Sequence, residues 1–370
     1  MNKIFKVIWS KSKQCYIVVS EMAKNHSGKK KIVVASILAA MAVGAEMSVV
    51  EVQAGALDGG QIGSYYATAI GFKANAFTDS SLAIGTYSYS KGTQVPGDAG
   101  SKVDPSIAIG NNARAVGNSA LAVGMNATTN NSFSVAVGRN TEVTGDYGVG
   151  IGYKAKATLH GIAMGEQARA VKEGATTLGV SSRGYGNGAI AVGWQALAGA
   201  DVYTAGRPGD NINNDNANTI NNYGQWGDMA VGLRAMATGG NATALGRSAN
   251  ATAANAIAIG GGDGKAYNDN VENTIASGQK ATAIGYNATA SSTSATALGT
   301  KASASAENAA AIGTSASASA KDTLAAGSSA TASAAGATAV GKAAKAQKAD
   351  ALALGSGATA SEVNATAIGK

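Results

Sequence analysis

Along most of this chain a small residue sits between two larger apolar ones and a glycine closes the group, and that glycine returns every fourteen residues. The anchors are Gly71, Gly85, Gly110, Gly124, Gly138, Gly152, Gly165, Gly179 and Gly193, then Gly232, Gly246, Gly260, Gly285, Gly299, Gly313, Gly327, Gly341, Gly355 and Gly369. The residue before the anchor is aliphatic in all but one repeat, where Ala326 stands. Two before it comes Ala, broken only by Gly150 and Thr177. Three and five after it small residues recur, as in Ala74 and Ala76 or Ala302 and Ala304. Alternation of period two over three positions, then a glycine, then a second short alternation predicts two short strands and a turn in every unit. Self-similarity over some 300 residues predicts a stack of equivalent units.

Fourteen is also two heptads, but the spacing within a unit is two rather than 3.5. A glycine in every unit costs a helix about 1 kcal/mol relative to Ala, and charges are too sparse for flanking ion pairs. Low-complexity disorder competes most strongly over residues 300–370, where Ala, Ser and Thr dominate. Against it, a disordered spacer has no reason to hold an apolar position in phase. The fold class predicted is all-β: a parallel β-roll or solenoid of ~14-residue coils. At ~4.8 Å per coil, about twenty coils span roughly 90–100 Å. The Ala two before the anchor faces the narrow interior, so the positions on either side of it face out. A stripe of Ile, Val and Leu then runs up the outside, a liability for a single chain. Self-association with cyclic symmetry relieves it.

Four intervals depart from fourteen. One is 13, two are 25 and one is 39, read as 14 plus 11 and as 28 plus 11. They predict insertions at about 90–104, 199–223 and 261–278, in or beside which lie Pro96, Pro105 and Pro208. Loops extruded from a rigid scaffold commonly carry recognition, although Asn-rich turns such as Asp210–Asp215 also suit a solvated excursion.

The first 56 residues read as an address. Eight lysines face one acid, Glu21, in residues 1–31, and the uncharged Ile32–Ala45 that follows is too short for an ordinary membrane-spanning helix. A secretory signal with a long basic region is expected over 1–56, cleaved after about Ala45 or Ala56, with an N-terminal anchor as the alternative. From Glu46 onward Lys and Arg balance Asp and Glu at 21 each, so the formal +7 belongs to the leader and gives no reason to expect nucleic acid. Cys15, the only cysteine, lies in the leader as well, leaving the exported part without disulfides.

Two stretches resemble one family. The opening Met1–Trp9 and the segment Tyr16–Lys24 are similar to the extended signal peptide region of Gram-negative autotransporters. Units such as Ser106-Ile107-Ala108-Ile109-Gly110 and Ser134-Val135-Ala136-Val137-Gly138 resemble the head repeat of trimeric autotransporter adhesins of the YadA type, over residues 64–370. The resemblance implies a left-handed roll, three chains about one axis and display on the outer membrane. The family continues into a coiled-coil stalk and a C-terminal membrane anchor. Neither pattern is found up to Lys370, so attachment of this chain is expected to need an anchor that it lacks.

Candidate chemistry is sparse. His160 is the only histidine after the leader and is expected in an exposed loop between units. One histidine without cysteine does not supply the usual zinc ligand sets. The run Gly260–Lys265 suggests a phosphate loop, but Ala266 follows the lysine and Ile259 stands where the first glycine is required. No catalytic, cofactor-binding or metal-binding residue is assigned, no cofactor or small-molecule substrate is expected, and the ligand-binding residues are unknown. Tyr153 and Trp194, each directly after an anchor, are expected at turns, covering a neighbouring coil in preference to stacking on a ligand. The function expected is adhesion to host matrix or other cells, by weak contacts repeated along a homotrimer. Collagen enters through the resemblance, since Asn118-Ser119 and Asn131-Ser132 stand near the family's collagen-binding pattern. A plain spacer and an ice-binding-like solenoid, suggested by recurrent Ala-Thr-Ala, remain the alternatives.

Overall fold

The computed structural model describes residues 5–10, 15–20, 55–64, 66–92, 104–199, 227–262 and 273–369. Two units separate, Met1–Glu51 and Val52–Lys370. In the first, Phe5–Ser10 and Cys15–Ser20 pair antiparallel, with Phe5 opposite Ser20 and Ser10 opposite Cys15. Both segments are rich in β-branched and aromatic residues, which favour a pleated strand. The apolar run Ile32–Ala45 lies outside the described residues.

The second unit is a parallel solenoid of about nineteen coils, and no described residue is helical. Each coil gives one strand of up to three residues ending just before its anchor, and one of two or three residues beginning four after it. The long strands form one sheet from Gly55–Leu57 and Thr68–Ile70 to Thr366–Ile368, each paired in parallel with the next. The short strands form the other, from Gln61–Ile62 to Thr359–Ala360. Equivalent residues meet in register: Leu121 with Val135, Ala122 with Ala136, Val123 with Val137.

The reason for glycine at the anchor lies one coil away. Gly124 has φ +129°, and a Cβ there would fall 2.6 Å from the Gly138 carbonyl oxygen. Positive φ together with backbone contact leaves no room for any side chain. Two further positive-φ residues complete each coil seven positions apart, for example Asn126 (φ 57°) and Phe133 (φ 55°). A coil is therefore two seven-residue halves, each ending in a left-handed residue that reverses the chain.

Alanines two before the anchor and three, five and ten after it fill the interior, as Ala122, Ala127 and Ala136 do at 0% exposure. The bore admits little else, and both exceptions at the position two before the anchor are matched across it. A Cβ on Gly150 would stand 3.0 Å from Val143 Cγ2, so the glycine makes room for a valine where alanine is usual. Thr177 reverses the exchange, its Cγ2 lying 3.1 Å from where a Cβ on Gly184 would be. Each exchange keeps the total within one heavy atom of the usual alanine pair, as a close-packed interior requires.

Three sequence readings are corrected. In the stack Ile190 pairs directly with Met229 and Leu197 with Met236, so the 39-residue interval is one coil of 14 plus 25 residues. The third insertion ends earlier than expected, because Ile275–Ala276 continue the short-strand sheet opposite Asn250–Ala251. The stack also begins before residue 57, since Gly55 pairs with Thr68. The bulk of all three insertions, residues 93–103, 200–226 and 263–272, lies outside the described residues.

Candidate binding surface

A coil this small exposes two strand faces and two turn edges, and each has its own chemistry. The outward face of the long strands is apolar, as the alternation predicts. Ile190, Leu245, Leu298 and Leu354 are each about 40% exposed there while the alanine between flanking positions is buried. The outward face of the short strands is polar, with Lys156 Nζ 3.1 Å from Glu142 Oε2 on the coil below. Arg169, Arg183 and Leu197 follow one another on that face and are buried. Burial holds the Arg169 guanidinium below its ordinary value, with Arg183 adding to the effect and Tyr185 and Glu142 opposing it. The periodicity gave no sign of these buried charges.

The anchor-turn edge, at the two positions after each glycine, interleaves aromatic rings and cations. Lys73 Nζ lies 5.3 Å from the Phe72 ring and 5.4 Å from Tyr87. Arg139 and Lys154 flank Tyr153 at 5.9 and 5.2 Å. The Arg234 guanidinium sits 5.3 Å from Trp194, and its Nε donates to Gln195 Oε1 at 3.0 Å. Tyr153 and Trp194 sit at turns, and each contacts a neighbouring coil, Tyr153 through Arg139 of the coil before and Trp194 through Arg234 of the coil after. An asparagine ladder rises on the same edge: Asn112 Nδ2 donates to Asn126 Oδ1 at 3.0 Å, and Asn126 Nδ2 to Asn140 Oδ1 at 2.9 Å.

On the opposite edge Phe133, Tyr147 and His160 stack at 5.1 and 5.3 Å. His160 is exposed, as expected, and its Nδ1 lies 3.5 Å from Glu173 Oε1. It occupies the second turn of the 13-residue coil between Gly152 and Gly165, where its amide donates to the Asp146 carbonyl at 3.0 Å. Asp146 in turn accepts from the Ser132 amide at 2.7 Å. Asn118, near the collagen-binding pattern, is buried in this edge, and its amide donates to Ser132 Oγ at 3.3 Å.

Asp228 was not singled out by the sequence. It is buried at the re-entry of the second insertion, in a position that most other coils give to Ala or Ser. Its Oδ1 accepts from the Ala242 amide at 2.7 Å and the Gly240 amide at 3.0 Å, and Oδ2 finds no partner among the described residues. Burial pushes its carboxyl up to about 6, against the pull of those two amides. Among the described residues no three His, Cys, Asp or Glu side chains gather as a metal site would need.

The surface is thus one of stacked, weakly differentiated ridges. The family model for the YadA head domain repeat matches residues 64–88, 104–127, 115–141, 237–262, 276–302, 290–316 and 346–370. The extended signal peptide of the type V secretion system matches residues 1–49. A type V leader followed by YadA-type head repeats is consistent with a trimeric autotransporter adhesin. Adhesins of this family are non-enzymatic in general, and leader and family together indicate export to the surface of a Gram-negative cell. A comparison with curated proteins gave no match.

Proposed function

We propose that this adhesin is exported and forms a homotrimeric head whose outer surface attaches the cell to host matrix or to other cells. The observation that carries the reading is the apolar stripe of the long strands, aliphatic just before nearly every anchor glycine, which a single chain would leave in water along its length. Turned toward a threefold axis it becomes a core, and the short-strand face and the turns become the outer surface. Repetition of weak contacts over many coils and three chains supplies avidity through effective concentration, without any deep pocket. Matrix proteins, collagen among them, are the partners proposed. The binding residues are sought on exposed positions, because the buried Asn118 is not free to contact a ligand.

Cleavage after Ala45 fits this head better than cleavage after Ala56, which would cut the first long strand in two. The stack itself is described from Gly55 to Gly369. Handedness and anchoring are proposed to follow the family.

The ice-binding alternative finds weaker support. Serine and threonine align on the short strands over Thr289, Ser303, Ser317 and Thr331, but Lys345 ends the ladder. The spacer alternative predicts that replacing the insertions changes no binding.

The test is light scattering and circular dichroism on the full-length chain, followed by binding to immobilised collagen and other matrix proteins. A β-rich trimer that binds at least one matrix protein in the micromolar range or tighter supports the reading. A β-rich chain that remains monomeric, or a trimer that binds no matrix protein and no cell, overturns it.

A further inference from the structure

Charge is balanced over the exported part of the chain, yet it is divided between the two turn edges. Among the described residues the positions just after the anchor glycines are cationic, with Lys73, Arg139, Lys154, Arg234 and Lys342 against one acid, Glu166, while Asp58 stands in the matching turn of the first coil, which has no anchor glycine. The second-turn edge, seven to nine positions after the anchor, is mainly acidic, with Asp79, Asp146, Glu173, Asp322, Asp350 and Glu362 exceeding its lysines. The two edges of one coil cannot neutralise each other. A three-residue strand holds them about 10 Å apart, with an alanine-filled bore between.

A second pattern lies within single coils. Where both edges carry charge, each edge finds an opposite sign across the coil: Lys73 and Asp79, Arg139 and Asp146, Lys301 and Glu307. Lys342 shares its coil with Asp350, although Lys348 is there as well. The most telling coil is the one where the sign is inverted. The one acid that follows an anchor glycine, Glu166, shares its coil with Lys172, which stands beside Glu173. Solubility alone gives no reason for such level-by-level matching.

Threefold symmetry gives one. If the apolar long-strand faces point to a common axis, the edge on one side of each face meets the opposite edge of the next copy. Such an interface is heterologous and closes into a ring. We propose that in the trimer the cationic anchor-turn edge of each copy docks against the acidic second-turn edge of its neighbour, coil against equivalent coil. The matched charges then fix the axial register, which an apolar stripe repeating every coil leaves free to slip by whole coils. The inverted pair at Glu166 and Lys172 breaks that translational degeneracy. Side chains needed for pairing are available: Lys73, Asp79, Arg139, Lys342 and Asp350 are exposed and Asp146 is half-buried.

This inference rests on the trimeric reading above, and the experiment separates the two. The full-length chain is examined by sedimentation at low and high salt, with circular dichroism to confirm the β signal. One variant reverses the cationic edge (Lys73→Glu, Arg139→Glu, Lys342→Glu). A second reverses the acidic edge (Asp79→Lys, Asp146→Lys, Asp350→Lys). A third carries all six changes. Each single-edge variant is expected to raise the concentration at half-trimerisation by about ten-fold or more at low salt, an effect that high salt reduces. The six-fold variant is expected to recover most of the loss, because every pair is again opposite in sign. A trimeric parent whose single-edge variants trimerise unchanged, or whose six-fold variant is as impaired as they are, overturns the edge pairing alone. A monomeric parent overturns the trimer and the pairing with it. Should a single-edge variant lose its β signal, the parent's salt response decides: trimers equally stable at low and high salt refute the pairing.

Discussion

The carbonyl oxygen of Gly138 lies 2.6 Å from the point where a Cβ on Gly124 would stand. The same contact recurs from anchor to anchor, so each glycine is required by the coil above it and not by its own turn alone. Gly124→Ala is expected to destabilise the solenoid by about 2–4 kcal/mol, combining left-handed strain with a backbone clash. Gly357, also at positive φ but with nothing within 4 Å of its virtual Cβ, serves as the control. Gly357→Ala is expected to cost about 1 kcal/mol. Equal losses in urea denaturation would show that conformational strain, not stacking, selects the anchor glycine.

Gly150 isolates packing from backbone strain, since its φ is ordinary and its neighbours are side chains. Gly150→Ala is expected to cost about 1–3 kcal/mol by overpacking against Val143 and Thr141. In the Val143→Ala background the same change is expected to cost less, with only the Thr141 contact left to relieve. A double-mutant cycle measures the coupling, and a coupling near zero would mean that the bore expands to absorb a methyl group.

The asparagine ladder combines two roles that side chains rarely share. Asn126 adopts φ 57° and links the coils below and above it through one side-chain amide. Asn126→Gly keeps the backbone and removes only the ladder, while Asn126→Ala removes both. The expected order of stability is Asn, then Gly, then Ala, with about 1 kcal/mol between the ends. Thermal melts that put Ala above Gly would reject the backbone part of this account.

Asp228 gives the fold a pH dependence of definite sign. Its carboxyl titrates at about 6 in the folded chain against an ordinary value of 3.8, so the folded form holds the proton more tightly between those values. Its contribution to stability is therefore fully present below about pH 4, declines as pH rises to 6, and is flat above. Asp228→Asn retains an oxygen for the Ala242 and Gly240 amides and removes the ionisation. The melting temperature is expected to rise at pH 7, change little at pH 4, and lose its slope between. A variant whose slope matches the parent's would assign that dependence to other groups.

On the apolar face a single charge is multiplied by symmetry. Leu298→Asp places three carboxylates around one level of the proposed axis and is expected to dissociate the trimer, while leaving the β signal of each chain intact. Ser305→Asp, on the polar short-strand side, is expected to leave it assembled. Sedimentation of the two side by side provides the check.

Much of the architecture was legible because its causes are local and repeated. A glycine excluded by the next coil, an alanine facing a narrow bore and an aliphatic residue facing out recur at fixed phase, so the coil, its strand faces and its apolar stripe could be read directly. His160 and the turn aromatics were placed correctly for the same reason. The length of the second insertion was not legible, because 39 residues divide as readily into 28 plus 11 as into 14 plus 25. Only the pairing of Ile190 with Met229 chose between them.

By itself, then, the sequence determined the period, the inward and outward positions and the family, all of which follow from contacts that repeat in every coil. Tertiary structure decided what does not repeat. Gly150 yields space to Val143 across the bore, Asp228 is buried where other coils place a small residue, and charges six to eight residues apart fall on opposite edges of one coil. Those relationships depend on distances through space between residues that the fourteen-residue rule treats as equivalent to their neighbours, and folding alone brings them together.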